Sequence, residues 1–258
     1  VSYLNKLRNF VNRSIFSTGF QIERDKTYLP FNYPVEFKLL DVSSELKLTN
    51  DFLIRFGKNC DILLDVGANR GTFTDLFIKV NDQASIALFE PIPELFKSLN
   101  YKYKEKNFMF YNIALSDYEG KTVFNVSSND GQSSSLLPIG KRHLAAHPKA
   151  LEINKIVVDV STLDEICKTL AFSQAFLKVD VQGNELAQLY GSIETLRRTK
   201  AVHIEVSIQS IYDGDSLGFE IWELLHKNGF ILYGIDPWFR DTKANGELLH
   251  ADMFFVKS

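Results

Sequence analysis

The sequence predicts an α/β domain with a doubly wound, mostly parallel sheet, on three observations. Short apolar runs rich in β-branched or aromatic residues recur at 61–66, 85–90, 107–113, 175–180, 201–206, 230–235 and 252–257. Helix-length segments at 72–80, 93–103, 184–198 and 217–228 separate most of them, the alternation of a sheet covered on both faces. The first run enters a glycine-rich turn, Asp65-Val66-Gly67-Ala68-Asn69-Arg70-Gly71, and the second ends in Phe89-Glu90-Pro91. A strand, a glycine turn, a helix and a second strand ending in an acid form a nucleoside-binding half.

Taken in order, residues 1–60 mix aromatics with Lys and Arg at helical spacing, as in Leu4, Leu7, Val11 and again Phe52, Leu53, Phe56. They read as an N-terminal helical cap with an irregular link near Pro30 and Pro34. Residues 61–258 read as the α/β domain. Pro93 suits the first turn of its second helix. Two β-rich pieces, 120–126 and 153–160, flank a Ser-, Asn- and Gly-rich stretch at 127–135, which reads as an insertion beside the site, near 120–160. The last strand follows the Gly246 turn and is positioned to pair antiparallel. No internal repeat is visible.

Composition narrows the function classes. The chain has 258 residues, 45% hydrophobic and 13% aromatic, enough for a substantial core. A formal charge of −3 gives no electrostatic reason to hold a polyanion, so no nucleic-acid partner is expected. Cys60 and Cys167 stand far apart with no C-x-x-C pattern, which favours neither a disulfide framework nor a zinc site and fits a reducing cytoplasm. No membrane span is expected, because no apolar run is long enough, and the opening residues lack a signal-peptide pattern.

The turn itself favours S-adenosylmethionine over a dinucleotide. Gly67 and Gly71 permit close backbone approach, and Asn69 tolerates a left-handed conformation where a third glycine often stands. The G-x-G-x-x-G spacing that holds a pyrophosphate is absent. Asp65 can serve near the cationic amino group of S-adenosylmethionine, directly or through water. Thr72 with Asp75 fits a helix N-cap and its partner. Glu90, followed by Pro91, can accept both ribose hydroxyls. Asn112 or the Ala114 backbone would lie near the adenine edge.

With these pieces in hand the chain resembles the FkbM-type methyltransferase family over residues 60–258. The matching segments are Asp65 to Gly71, Phe89-Glu90-Pro91, Asn112 to Ser116, Leu177-Lys178-Val179-Asp180-Val181-Gln182-Gly183-Asn184-Glu185 and His203-Ile204-Glu205-Val206. The block from Lys178 to Glu185 discriminates most, since the family pattern K-[IV]-D-[VI]-[EQ]-G-x-E is met at every fixed position. The resemblance implies a Rossmann-like, seven-stranded sheet of the class I methyltransferase type. It also implies S-adenosylmethionine-dependent methylation of an oxygen, commonly on a sugar, glycan or secondary metabolite.

Attack by a hydroxyl needs help with its proton. The candidate general bases, in order, are Asp180 at the carboxyl edge of the sheet, Glu205 and His203. His203 also reads as a hydrogen-bonded core histidine. Glu185 is a candidate near the substrate, with loop orientation or helix capping as its plainer role, and the plainer role of Lys178 is to pair with an acid. Asp180 with Glu205 could offer oxygen to Mg²⁺, fewer ligands than a hard cation gathers, so no metal residue is assigned. Asn129 and Gln132 in the insertion, and Trp238 in a loop beside Pro237, are the acceptor-contact candidates. A nicotinamide-dependent oxidoreductase and a catalytically inactive cofactor-binding partner subunit are the rival readings. Oligomeric state leaves no mark in the sequence.

Overall fold

In the computed structural model of the chain, the described residues are 47–241 and 246–258; most of the expected cap, residues 1–46, lies outside them. The described part opens with α1 (Lys47–Phe52), continued by a π-helical turn over Leu53–Gly57. Phe52 is fully buried, its ring 5.6 Å from Phe176 and 5.1 Å from Phe254.

The central strand β1 (Ile62–Val66) is buried at every position, as a parallel strand covered on both faces must be. After it come α2 (Thr72–Val80), β2 (Ser85–Phe89), α3 (Pro93–Lys102) and β3 (Met109–Tyr111). The expected third strand over 107–113 is shorter because the chain leaves the main sheet at Asn112 and enters a second one. That second sheet holds β4 (Ala114–Leu115), β5 (Gly120–Ser127) and β6 (Glu152–Ser161), in the order β4-β6-β5. Between β5 and β6 runs the insertion, with the short α4 (Lys141–Ala146). Ile92, Ala114, Phe124, Val158 and Val160 form its own small core.

The chain then returns through α5 (Leu163–Cys167), β7 (Ala175–Val179), α6 (Glu185–Tyr190), α7 (Ile193–Arg197), β8 (Thr199–Ser207), α8 (Gly218–Lys227), β9 (Phe230–Arg240) and β10 (Leu248–Lys257). The main sheet has the order β3-β2-β1-β7-β8-β10-β9, parallel except for β10, which is antiparallel to β8 and β9. This is the expected seven-stranded, mostly parallel α/β sheet, including the antiparallel last strand. Its two faces carry separate apolar clusters: Leu64, Val66, Leu177, Val179 and Ile204 on one, Leu63, Phe73, Phe77 and Phe176 on the other.

One helix differs from expectation. The segment 184–198 is two helices, broken at Gly191-Ser192. A β-carbon on Gly191 would stand 2.0 Å from the Ser116 carbonyl oxygen, so the chain passes too close to β4 for any side chain there. Asp164 then supplies a new start, its carboxylate accepting from Glu194 N at 3.0 Å and Thr195 N at 2.7 Å.

Candidate active site

Three strand ends meet at the carboxyl edge of the sheet. Gly67, at φ +73°, lies so close to the end of β7 that a β-carbon would stand 1.9 Å from the Asp180 carbonyl oxygen. The amides of Gly67 and Ala68 donate to Phe89 O at 3.1 and 3.0 Å, tying the turn to β2. Asn69 is left-handed at φ +47°, as expected. Thr72 does not cap α2. The helix starts after left-handed Gly71 with no side-chain cap, and the Asp75 carboxylate is taken instead by Tyr103 OH at 2.8 Å and Lys102 Nζ at 2.5 Å.

Glu90 is buried where β2 ends, and both its oxygens face main-chain amides: Asn69 N donates to Oε2 at 2.9 Å and Ile92 N to Oε1 at 2.8 Å. A carboxylate has about four acceptor positions, so these two bonds aim the group and leave capacity for two hydroxyls. Burial pushes its carboxyl up to about 7, against the two amide bonds and Lys178. Asn112 has another task than the one expected. Its Nδ2 donates to Glu90 O at 2.8 Å and Pro91 O at 3.0 Å, so it braces the turn that carries the carboxylate. Ala114 is buried in the small core beside Ile92.

Asp65 is fully enclosed. Thr74 Oγ1 donates to its Oδ2 at 2.6 Å, and Lys178 Nζ lies 3.4 Å from Oδ1. It is therefore not placed to meet an amino group directly, because the strand face it points to is covered by α2. Lys178 is buried and also donates to Gly67 O at 2.6 Å, with Asp180 Oδ2 at 3.5 Å. Burial works against its charge, but Asp180, Asp65 and Glu205 outweigh it and shift it upward. The lysine holds β1 to β7 and pairs with acids, as its plainer reading has it.

The expected bases separate clearly. The Asp180 side chain is 33% exposed, whereas that of Glu205 is 11% exposed and bonded to His250, with Nδ1 to Oε1 at 2.6 Å. Both members of that pair shift upward: burial and then Asp180 raise Glu205, while Glu205 more than offsets the effect of burial on His250. The pair therefore keeps a proton between them. His250 Nε2 meets Ser207 Oγ at 3.1 Å, and Ser207 donates to Asp215 at 2.8 Å. His203 lies between rings, 4.7 Å from Phe254 in a stack and 5.0 Å from Phe73, with both ring nitrogens lacking a hydrogen bond. It is a core histidine, closest in charge to Asp252 at 3.4 Å.

Gln182, which the sequence marked as part of the Lys178 to Glu185 block without giving it a role, joins these groups. Its Nε2 donates to Asp180 Oδ1 at 2.7 Å and Glu205 Oε1 at 2.8 Å, and its Oε1 accepts from Tyr212 OH at 2.6 Å. Tyr212 and His250 were missed too, and no local motif marks them. An amide proton donor bridging Asp180 and Glu205 occupies the place a shared cation would need, so these residues do not fit Mg²⁺. Among the described residues no group of three or more His, Cys, Asp or Glu could hold a metal ion. Glu185 is buried and accepts from Gly183 N at 3.0 Å and Val181 N at 3.2 Å, which orients the loop. Burial pushes it up to about 7.

The insertion lies against this edge. Ser135 Oγ donates to Gln182 O at 2.6 Å, and Arg70 pairs with Asp130 at 3.2 Å. Asn129 spends its side chain inside the loop, accepting from Ser127 Oγ at 2.6 Å and donating to Ser133 Oγ at 2.9 Å, while Gln132 is exposed. His143 backs the loop through Ser133 at 3.2 Å, and burial lowers it to about 4, so it stays neutral. Trp238 is not in a loop: it is the ninth residue of β9, because the strand runs on through Pro237 at the sheet edge. It remains 54% exposed and stacks on Phe239 at 5.6 Å. No described helix is long and apolar enough to cross a membrane.

The sequence model of the family described as the methyltransferase FkbM domain matches residues 65–232. A similar curated protein is the 2-O-methyltransferase NoeI of Sinorhizobium fredii (strain NBRC 101917 / NGR234), 27% identical over 179 residues, covering 67% of this chain and 74% of that one. Solved structures similar to the chain include magnesium protoporphyrin IX methyltransferase (ChlM) of Synechocystis PCC 6803 with bound SAM, at TM-score 0.43 and 10% identity, covering 82% of this chain and 79% of that chain. Another is a SAM dependent methyltransferase of Aquifex aeolicus, at TM-score 0.42 and 12% identity, covering 82% and 88%.

Proposed function

The chain belongs to the FkbM methyltransferase family and is an S-adenosylmethionine-dependent O-methyltransferase, and we propose that its acceptor is a hydroxyl of a sugar, glycan or secondary metabolite with Asp180 as general base. The observation that carries the reading is the placement of Glu90 and Asp180 immediately after the two strands that flank β1, either side of the Gly67 turn. Glu90 fits the adenosyl ribose because its remaining acceptor positions match two vicinal hydroxyls. When bound beside Glu90 and the Gly67 turn, S-adenosylmethionine would supply the methyl, with sulfur keeping the electron pair of the S–CH₃ bond and the acceptor oxygen gaining the methyl.

Asp180 receives the hydroxyl proton as the oxygen attacks, and its partial exposure lets it return that proton to water. Lys178 and Gln182 hold the carboxylate from two sides, so it meets the acceptor already oriented. The insertion, braced on Gln182 and Arg70, lies beside that carboxylate and leaves Gln132 exposed to meet a polyol acceptor. Calorimetry tests the cofactor half. Removing a charge-assisted acceptor in Glu90→Ala should weaken S-adenosylmethionine binding by roughly ten- to a hundredfold, as a lost bond of about 1.5–3 kcal/mol implies. Unchanged affinity would remove Glu90 from the cofactor site.

A further inference from the structure

We propose that Gln182, locked by Tyr212, is the positioning residue that sets the orientation of Asp180 and keeps Glu205 from competing for its role; this rests on the reading of Asp180 as base. The amide can adopt only one orientation. Two carboxylates, Asp180 Oδ1 at 2.7 Å and Glu205 Oε1 at 2.8 Å, both need a donor, and the Tyr212 hydroxyl at 2.6 Å donates to the other end. Burial holds Tyr212 protonated, which is the state that donates. A flipped amide would set its oxygen against two acids and its NH₂ against a hydroxyl proton.

The backbone is committed as well. Gln182 sits at φ +57°, a left-handed conformation uncommon for a side-chain-bearing residue. It is held there by Ser135 Oγ bonding its carbonyl at 2.6 Å and by the Glu185 carboxylate bonding the amides on either side, Val181 N and Gly183 N. One residue thus touches the insertion, the end of β7, the end of β8 and the 208–216 loop. Glu205 has Oε1 bonded to both His250 and Gln182 and its side chain is only 11% exposed, so Asp180, at 33%, is the more accessible carboxylate.

The charges that face Asp180 are Lys178 beside it, Asp65 behind that lysine, Glu90 across the turn, and the Glu205–His250 pair with Tyr212 on the other side. Removing the Gln182 donor removes a bond to the ionised form of Asp180, so the base should need a higher pH to work.

The test is the pH dependence of kcat, from the ordinary carboxylate range at about pH 4 up to about pH 9, for wild type, Gln182→Leu, Tyr212→Phe and Asp180→Asn, at saturating S-adenosylmethionine. Expected are a kcat about ten- to a hundredfold lower in Gln182→Leu and a smaller fall in Tyr212→Phe. In both, the acid limb should move to higher pH by about half a unit or more, while KM for S-adenosylmethionine changes less than about twofold. A residue that merely stabilised the fold would lower the melting temperature without moving that limb. The positioning role is overturned if folded Gln182→Leu and Tyr212→Phe keep both kcat and acid limb while Asp180→Asn is inactive. If Asp180→Asn itself keeps wild-type kcat and limb, the base assignment fails instead. Tyr212→Phe deletes a single hydroxyl, so it keeps the question open to measurement should Gln182→Leu not fold.

Discussion

Around Glu90, every hydrogen bond to the carboxylate comes from a main-chain amide, Asn69 N or Ile92 N, and the turn behind it is braced by Asn112 bonding carbonyls. Around Glu205, the partners are side chains gathered from three places: His250 on β10, Gln182 after β7, and Tyr212 behind Gln182 in the 208–216 loop. The first region lies within the continuous run from β1 to the end of β3, and its bonds to the carboxylate tolerate changes in neighbouring side chains, because amides are present whatever the residue. The second depends on each side chain and on the register that brings them together. On the proposed reading, the cofactor side is thus set by backbone geometry and the acceptor side by a buried polar network.

The largest expected effect tests whether the two regions are separable. His250→Leu leaves Glu205 buried beside Asp180 with its cationic partner gone, and breaking a buried pair typically costs about 3–5 kcal/mol. Denaturant unfolding should show a loss of that order, while the folded fraction binds S-adenosylmethionine as wild type does. A parallel fall in cofactor affinity would mean that the network also shapes the Glu90 side.

The next effect is one of pH. Glu90 rises from 4.5 to about 7 on folding, so its contribution to stability is fully present below about 4.5 and lost as pH rises through 7. Binding has the opposite slope. Hydroxyls donate to the ionised form, so S-adenosylmethionine affinity should climb up to about tenfold per unit as pH rises toward 7, then level off. Titration calorimetry across that range checks it, and Glu90→Gln should flatten the curve. A wild-type affinity independent of pH would show that another group sets the contact.

The smallest effect is expected at His203. Its ring packs between Phe254 and Phe73 with neither nitrogen hydrogen-bonded and Asp252 3.4 Å away, and replacing a polar ring that makes no hydrogen bond costs little. His203→Leu should leave kcat within about twofold and stability within about 1 kcal/mol. A loss of kcat beyond tenfold would return His203 to the list of bases.

What could be read from the chain before folding was whatever repeats at short range. Strand periodicity, the Gly67 to Gly71 turn, the acid after β2 and the block from Lys178 to Glu185 are local patterns, and they located the sheet, the crevice and Asp180. The roles of individual polar side chains were not local. Whether Asp65 faces a ligand or Thr74 depends on which sheet face α2 covers, and Asp75 met Tyr103 and Lys102 rather than capping its own helix because α3 packs beside it. His250 stands opposite Ser207 solely through the antiparallel register of β10, and one residue of slip would send it to the other face. A backbone motif carries its own geometry, whereas a carboxylate's function follows from the neighbours that folding delivers, since burial and a donor at hydrogen-bond distance decide whether it grips, pairs or takes a proton.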